Sequence, residues 1–220
     1  MKKFIITSLG IVLVCLAVLG TANAQKVEIS TVDFNSSADD FGSAMSQNGR
    51  LMYITSARND EKQKVYVVER SSSGWKTPEE LNGDINDAKQ TGAVTLTPDG
   101  QYMIFSAYKH SVDGLGRTDL YSARKVDGKW TEVQNLGLLN STDFDAQPTL
   151  SSDGQMLFFV SDRPGGKGGT DIYYSKKSVN GWSKPENATQ LNSDADEMSP
   201  VFTADNKTIT FASNRTGGAG

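Results

Sequence analysis

Beyond its first two dozen residues, apolar residues recur along this chain in short runs, with no helical period of useful length. Leu51 to Ser56, Tyr102 to Ala107, Met156 to Ser161 and Thr208 to Ser213 are rich in aromatic and β-branched residues and carry apolar groups on both faces. That pattern predicts strands covered on both sides. Each run follows a turn signal: Gln47-Asn48-Gly49, Thr97-Pro98-Asp99-Gly100, Ser151-Ser152-Asp153-Gly154 and, in the last case, a turn ending at Asn206. Asparagine tolerates positive φ better than any residue but glycine, so the four read alike, as type I turns closed by a left-handed residue. A third run carries Val65-Tyr66-Val67, Leu120-Tyr121 and Ile172-Tyr173-Tyr174, and reverses at Ser73-Gly74, Asp127-Gly128 or Asn180-Gly181 into a fourth that opens on a tryptophan.

These signals repeat in fixed register. Asn35, Asn86, Asn140 and Asn192 mark the start of each copy, and Gly49, Gly100, Gly154 and Asn206 each follow fourteen residues later. Tyr66, Tyr121 and Tyr173 correspond, as do Trp75, Trp130 and Trp182, and a basic residue recurs at Arg58, Lys109, Arg163 and Arg215. The period is 51 to 54 residues, which divides the chain into copies at about 35–85, 86–139, 140–191 and 192–220, the last reaching only its second strand. Four antiparallel strands at such a period, with neither face polar, predict stacked β-propeller blades. The fold class is therefore all-β: a β-propeller of four-stranded antiparallel blades, incomplete at about three and a half blades.

The third copy reads Asn140-Ser141, Asp145, Pro148, Ser151-Ser152-Asp153-Gly154, Phe158-Phe159, Ser161-Asp162-Arg163-Pro164-Gly165-Gly166 and Asp171-Ile172-Tyr173. This resembles the WD40-like β-propeller repeats of the TolB type over almost all the chain from Asn35 onward. The first copy departs, having Gln47-Asn48-Gly49 and no glycine loop. The resemblance implies a fold and leaves the activity open, since propellers host many functions. Similar repeats occur in envelope proteins of Gram-negative bacteria, sometimes ahead of an OmpA-like peptidoglycan-binding domain. It implies a periplasmic, outer-membrane-associated or secreted protein whose partner is a protein, peptidoglycan or another envelope component.

The N-terminus supports export. Lys2 and Lys3 precede an apolar run from Phe4 to Gly20, and Ala22-Asn23-Ala24 supplies small residues for a signal peptidase, which predicts a signal peptide over 1–24 and a mature chain from Gln25. At about 17 residues the run is short for a span, and no transmembrane segment is predicted in the mature chain. Cys15 leaves with the signal, so the mature fold rests on packing without disulfides. Without Lys2 and Lys3, 20 basic face 26 acidic side chains, a net charge of −6 that argues against nucleic acid as a partner.

Several residues invite chemical readings. The loop from Asp162 to Asp171 has the glycines of a phosphate cradle but not the strand-to-helix setting that aims amides at an anion, and a flexible hairpin connection is the simpler reading. Asp39 and Asp40, Asp143 and Asp145, and Asp194, Asp196 and Glu197 could offer oxygens to calcium, yet lack an EF-hand spacing. The competing reading pairs Asp145 with Arg163 and Glu197 with Arg215. The three tryptophans read as packing between blades more simply than as sugar platforms. His110, the sole histidine, reads as a solvated loop residue, leaving no base for a serine triad. No catalytic residue, metal or cofactor is predicted. The expected function is an exported, non-catalytic propeller scaffold that binds a protein or envelope component. The alternative is a gating or substrate domain of an extracellular hydrolase or peptidase whose catalytic residues lie beyond Gly220. Strand direction puts the long charged loops at one end, and the candidate partner-binding face there comprises Lys109, Arg117, Asp143, Asp145, Arg163, Lys167, Asp194, Asp196 and Glu197.

Overall fold

The computed structural model describes residues 31–59, 62–203 and 205–217; the signal-peptide reading of 1–24 lies outside them. Four antiparallel sheets follow one another in chain order. The first contains β1 (Asp40–Met45), β2 (Leu51–Ser56), β3 (Lys64–Ser71), β4 (Gly74–Trp75) and β5 (Glu79–Glu80). The second contains β6 (Ala88–Leu96), β7 (Tyr102–His110), β8 (Asp119–Val126) and β9 (Lys129–Asn135). In the third are β10 (Asp145–Leu150), β11 (Met156–Ser161), β12 (Asp171–Ser178), β13 (Gly181–Trp182) and β14 (Glu186–Asn187), and in the fourth β15 (Glu197–Phe202) and β16 (Ile209–Ser213). The first strands of successive sheets face one another, β1 against β6, β6 against β10 and β10 against β15. These are the blades of a partial β-propeller.

The hairpins form for the reasons their residues suggest. Gly49, Gly100, Gly154 and Asn206 have φ of 66°, 65°, 68° and 56°. In each turn the backbone closes on a Ser or Thr carbonyl, as where Gly154 N–H donates to Ser151 O at 2.8 Å. Asp99, Asp153 and Asp205 accept from the turn hydroxyl and from a backbone N–H two residues on. Those bonds, the hydroxyl's first, hold the three carboxyls below the usual carboxylate range. The fourth strand differs between blades. It is continuous in β9, but Pro78 and Pro185 divide it into β4 and β5 and into β13 and β14, because proline has no N–H for the ladder.

The core lies between blades as much as within them. Trp130 packs with Tyr53, Val65, Leu81 and Ile85 of the preceding blade, and its ring meets Tyr53 edge-on at 6.2 Å. Gly83 forms a parallel bridge to Trp130, so close that a Cβ there would overlap the Trp130 carbonyl. Trp182 packs, only partly buried, on the cluster of Ile104, Leu120, Leu139 and Leu157. Trp75 instead meets Phe34 ahead of its own blade, at 6.0 Å.

Candidate functional site

Each blade is locked to the one before it by a repeated polar junction. Asn140 accepts from Leu120 N–H at 2.8 Å and donates to Leu120 O at 2.9 Å, and Asn192 makes the same pair with Ile172. Asn86 does so with Val65. The serine after the asparagine then donates its N–H and hydroxyl to the carboxylate four residues on: Ser36 to Asp40, Ser141 to Asp145, Ser193 to Glu197. An arginine closes the motif. Arg58, Arg163 and Arg215 pair with Asp40, Asp145 and Glu197, and Arg163 and Arg215 also donate to Leu139 O and Leu191 O. The first strand then borrows a carbonyl from the previous blade, through Thr91 N–H to Gln63 O, Asp145 N–H to Thr118 O and Glu197 N–H to Thr170 O.

The junction carries a definite pH dependence. Burial pushes the Asp40 carboxyl up, but bonds from Ser56, from Ser36 twice and from Arg58 outweigh it and bring its pKa from 3.8 to about 2. A depressed folded-state pKa adds stability that is present above the unfolded value and lost as pH falls through the folded one. Urea midpoints are therefore expected to fall between pH 4 and pH 2, and less steeply in Asp40→Asn; equal slopes would show that Asp40 is not the group responsible.

Blade two breaks the pattern, and the sequence register misassigned it. Lys109 is exposed, with its ammonium over the Tyr108 ring. The place of the arginine is taken by His110, which is buried, not solvated. It lies against Phe105 and Tyr121, the counterparts of Phe159 and Tyr173 on which Arg163 rests. Nδ1 accepts from Val112 N–H at 3.0 Å, so Nε2 carries the proton and donates to Asp84 O at 2.8 Å. Thr91 stands where the other blades have an acid, and its hydroxyl donates to Ile85 O.

Along the row of first strands lies a cavity of about 820 Å³. One end is formed by Phe41, Gln63, Thr118 and Phe144, the other by Thr97, Pro98, Ser151 and Ser152. Among the described residues lining it there is no acid, lysine, arginine, histidine or cysteine. All four first strands carry an irregularity at the same place, between Phe41 and Ala44, Thr91 and Val94, Ala146 and Thr149, and Met198 and Val201. Gln147 and Ser199 sit there at φ of 53° and 51°, a conformation that non-glycine residues seldom adopt. Gln147 accepts through Oε1 from Ser199 N–H at 2.7 Å. Sequence reasoning missed this surface. Its only signals were the proline just after each bulge residue, at Pro148 and Pro200, and the absence of charge from the first strands' middles.

Neither a family model nor a curated protein sequence matches the chain. Solved structures do. TolB from Acinetobacter baumannii superposes with a TM-score of 0.55 at 20% identity, over 82% of this chain and 39% of that one. A putative TolB from Agrobacterium tumefaciens gives 0.57 at 20% identity, over 81% and 56%. The fold is that of a β-propeller, as in these TolB structures. The chain spans about half the length of these TolB structures or less. An α-L-arabinofuranosidase from Lactobacillus brevis shares the architecture at a TM-score of 0.50 and 13% identity, over 82% and 67%. At such identities the likeness concerns fold alone.

In this propeller the nine residues of the candidate loop face separate into two groups. Asp145 and Glu197 have fully buried side chains, and Arg163 is 16% exposed, so these three belong to the blade junctions and not to an accessible surface. Lys167 donates to Thr189 O and Asn192 O, and Asp196 accepts from Thr170 N–H and Asn214. Arg117 pairs with Asp162 of the next blade while remaining 63% exposed. Lys109 and Asp194 are exposed and Asp143 half-buried at the same end. The glycine loop is no flexible connection. Gly168 lies so close to the next blade's entry that a Cβ would overlap the Ala195 carbonyl, and Gly116 packs likewise on Asp143 and Ser141. Two of the amides of the 162–171 loop are occupied, Lys167 N–H and Gly168 N–H donating to the Asp171 carboxylate.

Proposed function

We propose that this chain forms part of an exported, non-catalytic propeller scaffold that holds a protein or other envelope component at its loop end. The observation that carries the reading is the chemistry of the cavity along the first strands. A glycosidase needs two carboxylates at its bond-breaking centre, and acyl transfer needs a nucleophile with a base. The lining offers neutral amides, hydroxyls and apolar groups instead, which suits recognition of an uncharged surface. Lys109, Arg117, Asp143 and Asp194 ring that end with charges on a rigid frame, where recognition usually resides. Lys109 lies over Tyr108, which itself lines the cavity, so a partner engaging the rim also reaches the lining.

The test is capture of partners from the envelope by the full-length protein. Charge reversal at Lys109, Arg117 and Asp194 is expected to abolish capture, and the same number of substitutions at the opposite end, around Ser73 and Asp127, to leave it intact. If only the second set abolishes capture in folded protein, the face is wrong. Labelling of the full-length protein by a serine-directed fluorophosphonate would instead support the hydrolase-domain reading.

A further inference from the structure

The two ends of the molecule differ in charge. At the loop end exposed acids and bases are mixed, Asp39, Asp84, Asp87, Asp113 and Asp194 with Lys89, Lys109, Arg117 and Lys167. At the turn end the hairpin between β12 and β13 carries Lys176, Lys177 and Lys184, all exposed, and none forms a salt bridge among the described residues. The charged groups facing this hairpin are Asp99, whose carboxyl senses Lys177, and Glu186, which accepts from Tyr174. At its apex Val179 is 101% exposed, an aliphatic side chain standing clear of the protein between the lysines. The corresponding tips in the first two blades are Ser72-Ser73 and Asp127-Gly128. Just behind the tip is Trp182, with the Lys177 ammonium 5.8 Å from its ring, and the neighbouring blades repeat that arrangement at Lys125 on Trp130 and Arg70 on Trp75.

We propose that this hairpin docks the propeller on an anionic phospholipid surface. Cations alone fit any polyanion, but an exposed aliphatic apex flanked by lysines, with an indole at the base, fits a bilayer interface: the ammonium groups meet lipid phosphates while the apex enters the headgroup layer. A soluble polyanion has no use for Val179. Without Lys2 and Lys3 the chain is negative, at −6, but the unpaired exposed lysines gathered at this end turn it toward an anionic surface. Binding is peripheral, reversible and weakened by salt. The loop end is left facing outward, free for a partner, and this inference stands whether or not that partner is found.

The experiment is co-sedimentation of the full-length exported protein with phosphatidylcholine vesicles, with and without about one-third phosphatidylglycerol. Binding is expected to the anionic vesicles at low salt and to be lost at high salt or on pure phosphatidylcholine. At about fivefold per lysine, Lys176→Gln, Lys177→Gln and Lys184→Gln together lower partitioning about a hundredfold. Val179→Ser lowers it severalfold, while Lys89→Gln at the other end changes nothing. These side chains are exposed, so the variants keep the parental melting temperature. Absence of binding to anionic vesicles, or undiminished binding by the triple variant, overturns the proposal. Undiminished binding by Val179→Ser overturns it too, by pointing to a soluble polyanion.

Discussion

Trp130→Ala is expected to lower the free energy of unfolding by about 3 to 5 kcal/mol, the range for truncating a buried tryptophan. The indole is 2% exposed and belongs to the previous blade as much as to its own, since Tyr53, Val65, Leu81 and Ile85 surround it. Burial pushes the Tyr53 hydroxyl's pKa up, an effect the Trp130 hydrogen bond partly offsets, and truncation leaves that hydroxyl without its indole. Gly83, held in a parallel bridge against the Trp130 backbone, gives the junction no freedom to collapse into the gap. The partly buried Trp182, whose apex side is open, is expected to cost clearly less as Trp182→Ala. Urea unfolding followed by far-ultraviolet circular dichroism compares the two directly. Equal losses would mean that the tryptophans act as independent surface caps and not as pins between blades.

Asp145→Ala is expected to cost a similar amount, about 3 to 5 kcal/mol, for a different reason. The carboxylate is fully buried and receives Ser141 N–H, the Ser141 hydroxyl and Arg163. Removing it leaves a guanidinium that is 16% exposed without a counter-charge, and the cost of that isolated charge exceeds the worth of the bonds themselves. The double variant Asp145→Ala with Arg163→Ala should therefore recover part of the loss, with a coupling of about 0.5 to 3 kcal/mol. Arg215, 39% exposed beside Glu197, offers the internal control. Water already solvates it, so Glu197→Ala should be milder than Asp145→Ala. A coupling near zero at Asp145 and Arg163 would show that solvent reaches the pair.

How far the sequence leads depends on the range of the interaction concerned. The turns were legible because their chemistry closes within five residues: a Ser or Thr carbonyl, an Asp or Asn side chain and a left-handed residue satisfy one another with no help from elsewhere. Repetition carried the reading from single turns to blades, since an Asn, a Tyr and a Trp at constant spacing recur only if the same unit is stacked again. It also put Asp145 beside Arg163, which hairpin register makes neighbours.

The limits of that logic show at blade two. Counting places Lys109 at the arginine's position, yet His110 occupies it, because the requirement is a ring or guanidinium resting on Phe105 and Tyr121 and reaching a junction carbonyl. The bulges of the first strands, the left-handed Gln147 and Ser199, and the uncharged cavity they line depend on how four strands converge from distant parts of the chain. Likewise Gly168 of the 162–171 loop looks like flexibility in the sequence and proves to be clearance for the Ala195 carbonyl. The sequence by itself determined the blade, its turns and its repeat, because those rest on local backbone conformation and short-range hydrogen bonds. Only the tertiary structure decided which charges are buried between blades and which stay exposed, because desolvation is set by neighbours that are remote along the chain.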